Sequence, residues 1–279
     1  MDRKALQRLF GETIRSAAPS QTQFEHLAEA VLETFQQAAP FSLHIKNRAD
    51  RVAETTGQSI DVESFDITMA RAFLADEIGF GNWDELIAAI NNPSGQRYPL
   101  LFRYAIAGLW RGDFTAFENA IGGPAAFDDC IKTWFDAGYF DNEAETFAEC
   151  FAAACWLGHE KTAEFLLDKG VDPYAGMRTG LAGFHWAASS GRLNVIKLLT
   201  GRKIPMEVKN MYDGTVLGQA LWSAVNEHTD DHAEIIEVLV NSGAHLWPGT
   251  LEWWLEQDVP SSITKQKVAA TLRRHAESE

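Results

Sequence analysis

Cysteine is scarce in this chain. Cys130, Cys150 and Cys155 are the only three among 279 residues. An odd count with no Cys-x-x-Cys spacing excludes a disulfide framework and a cysteine zinc cluster, and places the chain in a reducing compartment. No apolar run reaches the ~18 residues that a membrane helix needs. The charges of Asp2, Arg3 and Lys4 are followed by no apolar stretch, so no secretory leader is expected. Basic residues are also few: 24 Lys and Arg stand against 39 Asp and Glu, for a net charge of −15. The acidity is spread along the chain and no basic stripe offers itself to phosphates, which excludes nucleic acid as a partner class. Catalytic signatures are lacking too. There is no Gly-x-Ser-x-Gly elbow and no phosphate loop, and His159-Glu160 is not completed to a zinc-protease motif because Ala163 stands where the second histidine belongs. Gly79-Phe80-Gly81 has no strand before it and Asp84 in place of the last fingerprint glycine. The expectation is a cytoplasmic, non-catalytic protein without cofactor, metal or membrane attachment.

What the chain does have is a register. Ala154-Cys155-Trp156-Leu157-Gly158-His159 and Ala187-Ala188-Ser189-Ser190-Gly191-Arg192 lie 33 residues apart, and Phe165-Leu166-Leu167 falls under Leu198-Leu199-Thr200 at the same offset. Another such step reaches Ala220, after which Val225 to His232 is inserted before Ile235 to Ala244. Small residues let the first helix of each unit approach its neighbours, Gly158 and Gly191 supply a left-handed turn, and Phe165, Leu166, Ile196, Leu198, Leu199, Ile236 and Leu239 form the buried stripe of the second helices. One such unit cannot cover its own apolar face, so the units must stack and the ends need caps. Cys155 occupies one of the small-residue slots and reads as a plain buried thiol.

A helix–turn–helix period of about 33 residues resembles the ankyrin repeat. Gly183-Phe184-His185-Trp186-Ala187-Ala188 is similar to that family's Thr-Pro-Leu-His-x-Ala opening, and Lys169-Gly170-Val171-Asp172-Pro173 to its closing Gly-Ala-Asp loop. Two departures stand out: Ala182-Gly183 replaces Thr-Pro, and Lys203 takes the closing glycine's place. Upstream, Ala70 to Trp83 resembles a short helical module that precedes ankyrin repeats in many bacterial proteins. The resemblance implies a bacterial ankyrin repeat domain-containing protein that recognises another protein.

In chain order, residues 1–95 read as an N-terminal helical module. It holds an amphipathic helix over 2–16 and a second opened by the capping box Ser20/Gln23. A third helix falls around Leu43 to Ala53, and a final pair is joined at Gly79-Phe80-Gly81, with Asn82 and Glu85 capping the last. Asn91 to Gly95 is the boundary. Residues 96–247 form the repeats. A degenerate first unit turns at Arg111-Gly112-Asp113, and an acidic insert at about 122–145 reads as a solvated loop-helix or a docking patch. Units at about 147–178, 179–212 and 213–247 follow. Residues 248–279 form a helical cap. The fold class is all-α, a helical repeat solenoid.

In ankyrin proteins the place two residues before the first helix's turn faces the concave groove. Trp110, Trp156 and Trp222 hold that place, with Arg111, Leu157 and Ser223 after them. The middle repeat offers Ser189-Ser190, one helical turn from Trp186. Large aromatics on such a wall are typical binding anchors. The groove residues, with the loop tips Met177-Arg178-Thr179 and Met211-Tyr212-Asp213, form the expected partner surface. Burial of the tryptophans by the N-terminal helices or the insert, a small-molecule or catalytic pocket, and self-association are the alternatives. The resemblance gives His185 a structural role. His228, Asp230, Asp231 and His232 could hold a metal only with a third ligand nearby, and none is evident, so the stretch reads as a solvated turn with Asp231 capping the next helix.

Overall fold

The structure is a computed structural model that describes residues 3–16, 19–37 and 65–276. The helix expected around Leu43 to Ala53 lies outside the described residues. Among those described there are fifteen α-helices and no strand. The chain divides into two compact units, 1–108 and 109–279.

In the first unit, α1 (Arg3–Ile14) packs on α2 (Gln21–Gln37), and α2 packs on α3 (Ile67–Glu77) and α4 (Trp83–Asn91). Leu6, Phe10, Phe24, Leu27, Val31, Phe73 and Leu74 are buried on their facing sides. The capping boxes form as the spacing requires. Ser20 N donates to Gln23 Oε1 at 2.7 Å, and Glu85 N donates to Asn82 Oδ1 at 3.0 Å while Glu85 Oε2 reaches back to Gly81 N at 3.1 Å. Gly79, at φ +84°, ends α3, so that Phe80 turns inward and is buried. α5 (Leu100–Trp110) contains the division between the units.

The second unit is a stack of helix pairs. Its first helices are α8 (Ala144–Leu157), α10 (Gly183–Ser189) and α12 (Val216–Asn226), packed side by side in that order. The second helices α9 (Glu160–Asp168), α11 (Leu193–Gly201) and α13 (His232–Asn241) form the other layer, continued by α15 (Ser262–Ala276). α14 (Thr250–Glu256) joins α15 and buries Trp254, whose Nε1–H donates to Lys265 O at 3.0 Å. The turns after α8 and α10 use Gly158 at φ +90° and Gly191 at φ +69°. The closing loops use Gly170, Lys203 and Gly243 at φ +82°, +56° and +92°, so Lys203 takes the glycine's backbone conformation along with its place.

Three expectations are corrected. The acidic insert is not simply solvated. It contains α7 (Pro124–Asp136), an amphipathic helix that buries Phe127, Ile131 and Trp134 and packs between α6 (Phe114–Ala120) and α9 in the second-helix layer. The first helix of the third repeat does not turn two residues after Trp222 as the register expects, because α12 runs through Ala224 to Asn226. Nor is His232 in a solvated turn. It is fully buried, Asp231 makes no side-chain cap, and Thr229 N donates to His232 Nδ1 at 2.9 Å instead.

The reason for that last burial is positional. His159, Arg192 and His232 each open the second helix of their repeat. Arg192 Nε donates to Trp156 O at 2.7 Å, and His232 Nε2 lies 3.2 Å from both Ala188 O and Ser189 O. Both side chains thus satisfy carbonyls exposed at the end of the preceding first helix. His159 Nε2 instead meets Glu118 Oε1 at 2.6 Å, its ring stacked on Phe127 at 4.0 Å. His185 joins successive repeats through Nε2, 3.0 Å from Val208 O and 3.2 Å from Gly214 O.

Candidate functional site: an aromatic groove beside the finger loops

The groove lies between α10, α12 and the loops that follow the second helices, with a volume near 1060 Å³. It is lined by Trp186 and Trp222 from the helices and by Tyr212 on one loop and Trp247 on the next. Trp222, Tyr212 and Trp247 are 49%, 75% and 38% exposed, so the groove presents aromatic surface to solvent.

Its loop wall is held rigidly. Asn210 is buried, and its Oδ1 accepts from Tyr212 N and Gly214 N, each at 2.9 Å. Asn210 N donates to Gly214 O at 3.0 Å, and Asp213 turns the tip at φ +61°. Met211 N then donates to Gly180 O at 2.9 Å, tying this tip to the preceding loop. A side chain at Gly180 would strike Met211 Sδ, which is why the two tips can lie against each other.

The floor is a directed hydrogen-bond chain. Asn210 Nδ2 donates to Gln219 Oε1 at 3.0 Å, and Gln219 Nε2 donates to Ser223 Oγ at 3.2 Å. Ser223 and Ser189 share a hydroxyl contact of 3.0 Å, and Ser189 Oγ donates to Glu227 Oε2 at 3.1 Å. The chain terminates on a carboxylate at the groove's edge.

The expected site residues separate into two groups. Trp110 and Trp156 do not line the groove, and Trp186 lines it beside Trp222 while packing on the other side against Trp156. Trp110 lies beneath the Arg178 guanidinium, 3.5 Å from its ring centre. Trp156 packs 5.8 Å from Phe114 and edge-on to Trp186 at 6.5 Å. Trp186 Nε1–H donates to Thr179 Oγ1 at 2.9 Å. All three rings are half-buried. Arg111, Leu157 and Met177 are likewise half-buried, and Ser190 Oγ donates to Trp186 O at 2.7 Å. Ser223, fully buried, is corrected from a contact residue to one beneath the groove, and Ser189, 6% exposed, to a floor residue, because their hydroxyls are committed to the internal chain. Arg178 is exposed but engaged, its Nε 3.2 Å from Glu145 Oε1 and its backbone N donating to Glu149 Oε1 at 2.8 Å. Glu149 is fully buried, and burial raises its pKa above the ordinary carboxylate value. Met211, Tyr212, Asp213 and Trp222 are exposed as the register implies.

Sequence reasoning missed Glu207, Gln219, Glu227 and Trp247. Three of these carried a signal. Tyr174, Glu207 and Trp247 each stand four residues after the closing position of a repeat, at Gly170, Lys203 and Gly243. Gln219 is three before Trp222 and shares its helix face.

The structure carries no assembled metal set: among the described residues no group of three or more His, Cys, Asp or Glu could hold an ion. His228 Nε2 meets Thr264 Oγ1 at 2.9 Å, and His232 is spent on backbone carbonyls. Cys130, Cys150 and Cys155 are free thiols whose pKa values burial raises, that of Cys130 to about 11. No described helix is long and apolar enough to cross a membrane.

Stacked helix pairs with a glycine turn inside each unit and a finger loop between units define an all-helical, ankyrin-type repeat solenoid. Residues 150–200, from Cys150 in α8 to Thr200 in α11, match the family model "Ankyrin repeats (many copies)". No curated protein and no solved structure matches the chain.

Proposed function

We propose that this protein is a non-catalytic recognition scaffold that holds a partner protein in the groove between Trp222, Tyr212 and Trp247. Ankyrin repeats are generally protein–protein interaction modules, which supports the class. The observation that carries the site is the exposure of these three rings on a surface whose backbone is already fixed by Asn210 and the Met211–Gly180 bond. Preorganised aromatic anchors of this kind concentrate binding energy because little entropy is lost on docking. A small-molecule pocket would enclose most of its ligand. Rings up to 75% exposed suit a macromolecular surface better. The free thiols, two of them buried, support a reducing, cytoplasmic setting.

The test is capture of binding proteins by the wild-type chain and by the double variant Trp222→Ala/Tyr212→Ala, with thermal melts of both. Loss of captured partners at an unchanged melting temperature is expected. Retention of the same partners by a folded double variant would move the site away from the groove.

A further inference from the structure

The groove's charge is as particular as its aromatic walls. Three carboxylates line it, from Glu207, Asp213 and Glu227, against the single ammonium of Lys209. That ammonium is engaged locally: Lys209 Nζ donates to Asp213 O at 2.8 Å and lies 3.7 Å from Asp213 Oδ2. Glu207 and Glu227 have no such cation among the described residues. Glu207 Oε1 accepts from His245 N at 3.0 Å, and Glu227 Oε2 accepts the Ser189 hydroxyl at 3.1 Å. These are neutral donors, and the second oxygen of each takes no hydrogen bond from the described residues.

We propose that the groove's occupant is an extended segment of a partner protein bearing an arginine or lysine, with the cation seated against Glu227 and its flanks lying over Trp222 and Trp247. This rests on the recognition reading above and names the chemistry of what is recognised. An apolar or acidic segment over this surface would desolvate two carboxylates with no compensating charge. A cationic side chain converts that penalty into a charge-assisted hydrogen bond, and the tryptophan faces add attraction of the cation–π kind. The chain of donors running from Asn210 through Gln219 and the two serines fixes the Glu227 carboxylate before anything binds, so none of its ordering falls on the complex. The net charge of −15 on the whole chain steers a basic segment towards the protein and opposes a second copy of itself as occupant.

The probe is a displayed library of random peptides, selected on the full chain, with affinities of the selected peptides measured by fluorescence polarisation at two salt concentrations. Glu227→Gln keeps an acceptor for Ser189 and removes the charge, Glu207→Gln does the same at the loop, and Trp222→Ala removes the wall. Selected peptides should be enriched in arginine and lysine. They should weaken roughly tenfold on Glu227→Gln, weaken similarly when the key arginine is replaced by citrulline, and weaken with salt. Peptides lost on Trp222→Ala that are neutral or acidic, or that bind Glu227→Gln as tightly as wild type, would overturn the cationic occupant and leave the groove reading standing. If every selected peptide binds Trp222→Ala undiminished, the groove itself is wrong and both readings fall.

Discussion

The repeats up to Thr200 and the repeat after it solve the same packing problem differently. Upstream, Gly158, Gly191 and Gly170 supply the left-handed turns, Arg192 satisfies the end of the preceding helix, and the tryptophans cover one another. On the way into the last repeat a lysine makes the closing turn; in that repeat the first helix runs past the register's turn, a buried histidine replaces the arginine, and the aromatic rings are left in solvent. Where the chain keeps to the repeat, its large residues serve the stack. Where it departs, it leaves surface for something else. The family-model match covers only the regular part.

The largest effect should come at the seam between the two. Gly191 combines φ +69° with a Cβ position that would clash with Thr229 Oγ1, on the inserted turn. Gly170 has a similar φ, +82°, but open space around it. Valine at Gly170 should cost the backbone strain alone, about 1–3 kcal/mol. Valine at Gly191 adds overpacking of about 1–3 kcal/mol more. Equal denaturant midpoints for the two variants would show that the inserted turn yields freely and is not part of the stack.

Next in size is the tryptophan contrast. Trp156→Ala removes a half-buried ring from the Phe114–Trp186 cluster and should cost about 2–3 kcal/mol, less than a fully buried aromatic. Trp222→Ala, at a ring 49% exposed, should change stability by no more than about 0.5 kcal/mol. Similar losses at both positions would erase the distinction between packed and presented rings.

That distinction was not legible in the sequence, although the scaffold was. Periodicity placed the helices, the turns at Gly158 and Gly191 and the substitution of Lys203, because those depend on local spacing. It put Trp156 and Trp222 in one class because they hold the same register position. Their difference is tertiary: Phe114 and Trp186 reach the first, whereas the second is left 49% exposed. Ser223 misled for the same reason, since register cannot show that a hydroxyl is spent on Ser189. His232 misled because the insertion hid its equivalence to Arg192.

The two structural histidines give a smaller, pH-dependent effect. Burial lowers the pKa of both His185 and His232 below 6.5, against carbonyl contacts that raise it. The folded state therefore holds them neutral, while the unfolded chain takes up protons first as pH falls through 6.5. Their contribution to stability is complete above that value and is lost progressively below it, down to the depressed folded pKa values. The melting temperature should fall on acidification below about 6.5. His232→Gln, which keeps a donor for Ala188 O and Ser189 O, should fall less steeply. His185→Gln tests the regular half in the same way. Parallel pH curves for wild type and both variants would remove histidine protonation as the cause.

The smallest expected effect restores the repeat at its most visible departure. Lys203 occupies a backbone conformation, φ +56°, that its register equivalents Gly170 and Gly243 adopt as glycines. A side chain there costs about 1–2 kcal/mol, and Lys203 is exposed, so its ammonium contributes little in return. Lys203→Gly relieves that strain but also frees the unfolded chain, which gains about 0.5–1 kcal/mol of conformational freedom from a glycine. The strain is the larger quantity, and the net outcome should be a stabilisation of a few tenths to about 1 kcal/mol. Lys203 opens the loop that continues through Glu207 and Asn210 to Tyr212, so the variant also reports on the groove. Peptide affinity should be unchanged, because Asn210 and the Met211–Gly180 bond fix the tip independently of the closing turn. A destabilised Lys203→Gly would mean that the lysine is selected for its conformation. A stabilised variant with weakened peptide binding would mean that strain at the turn helps to set the groove wall.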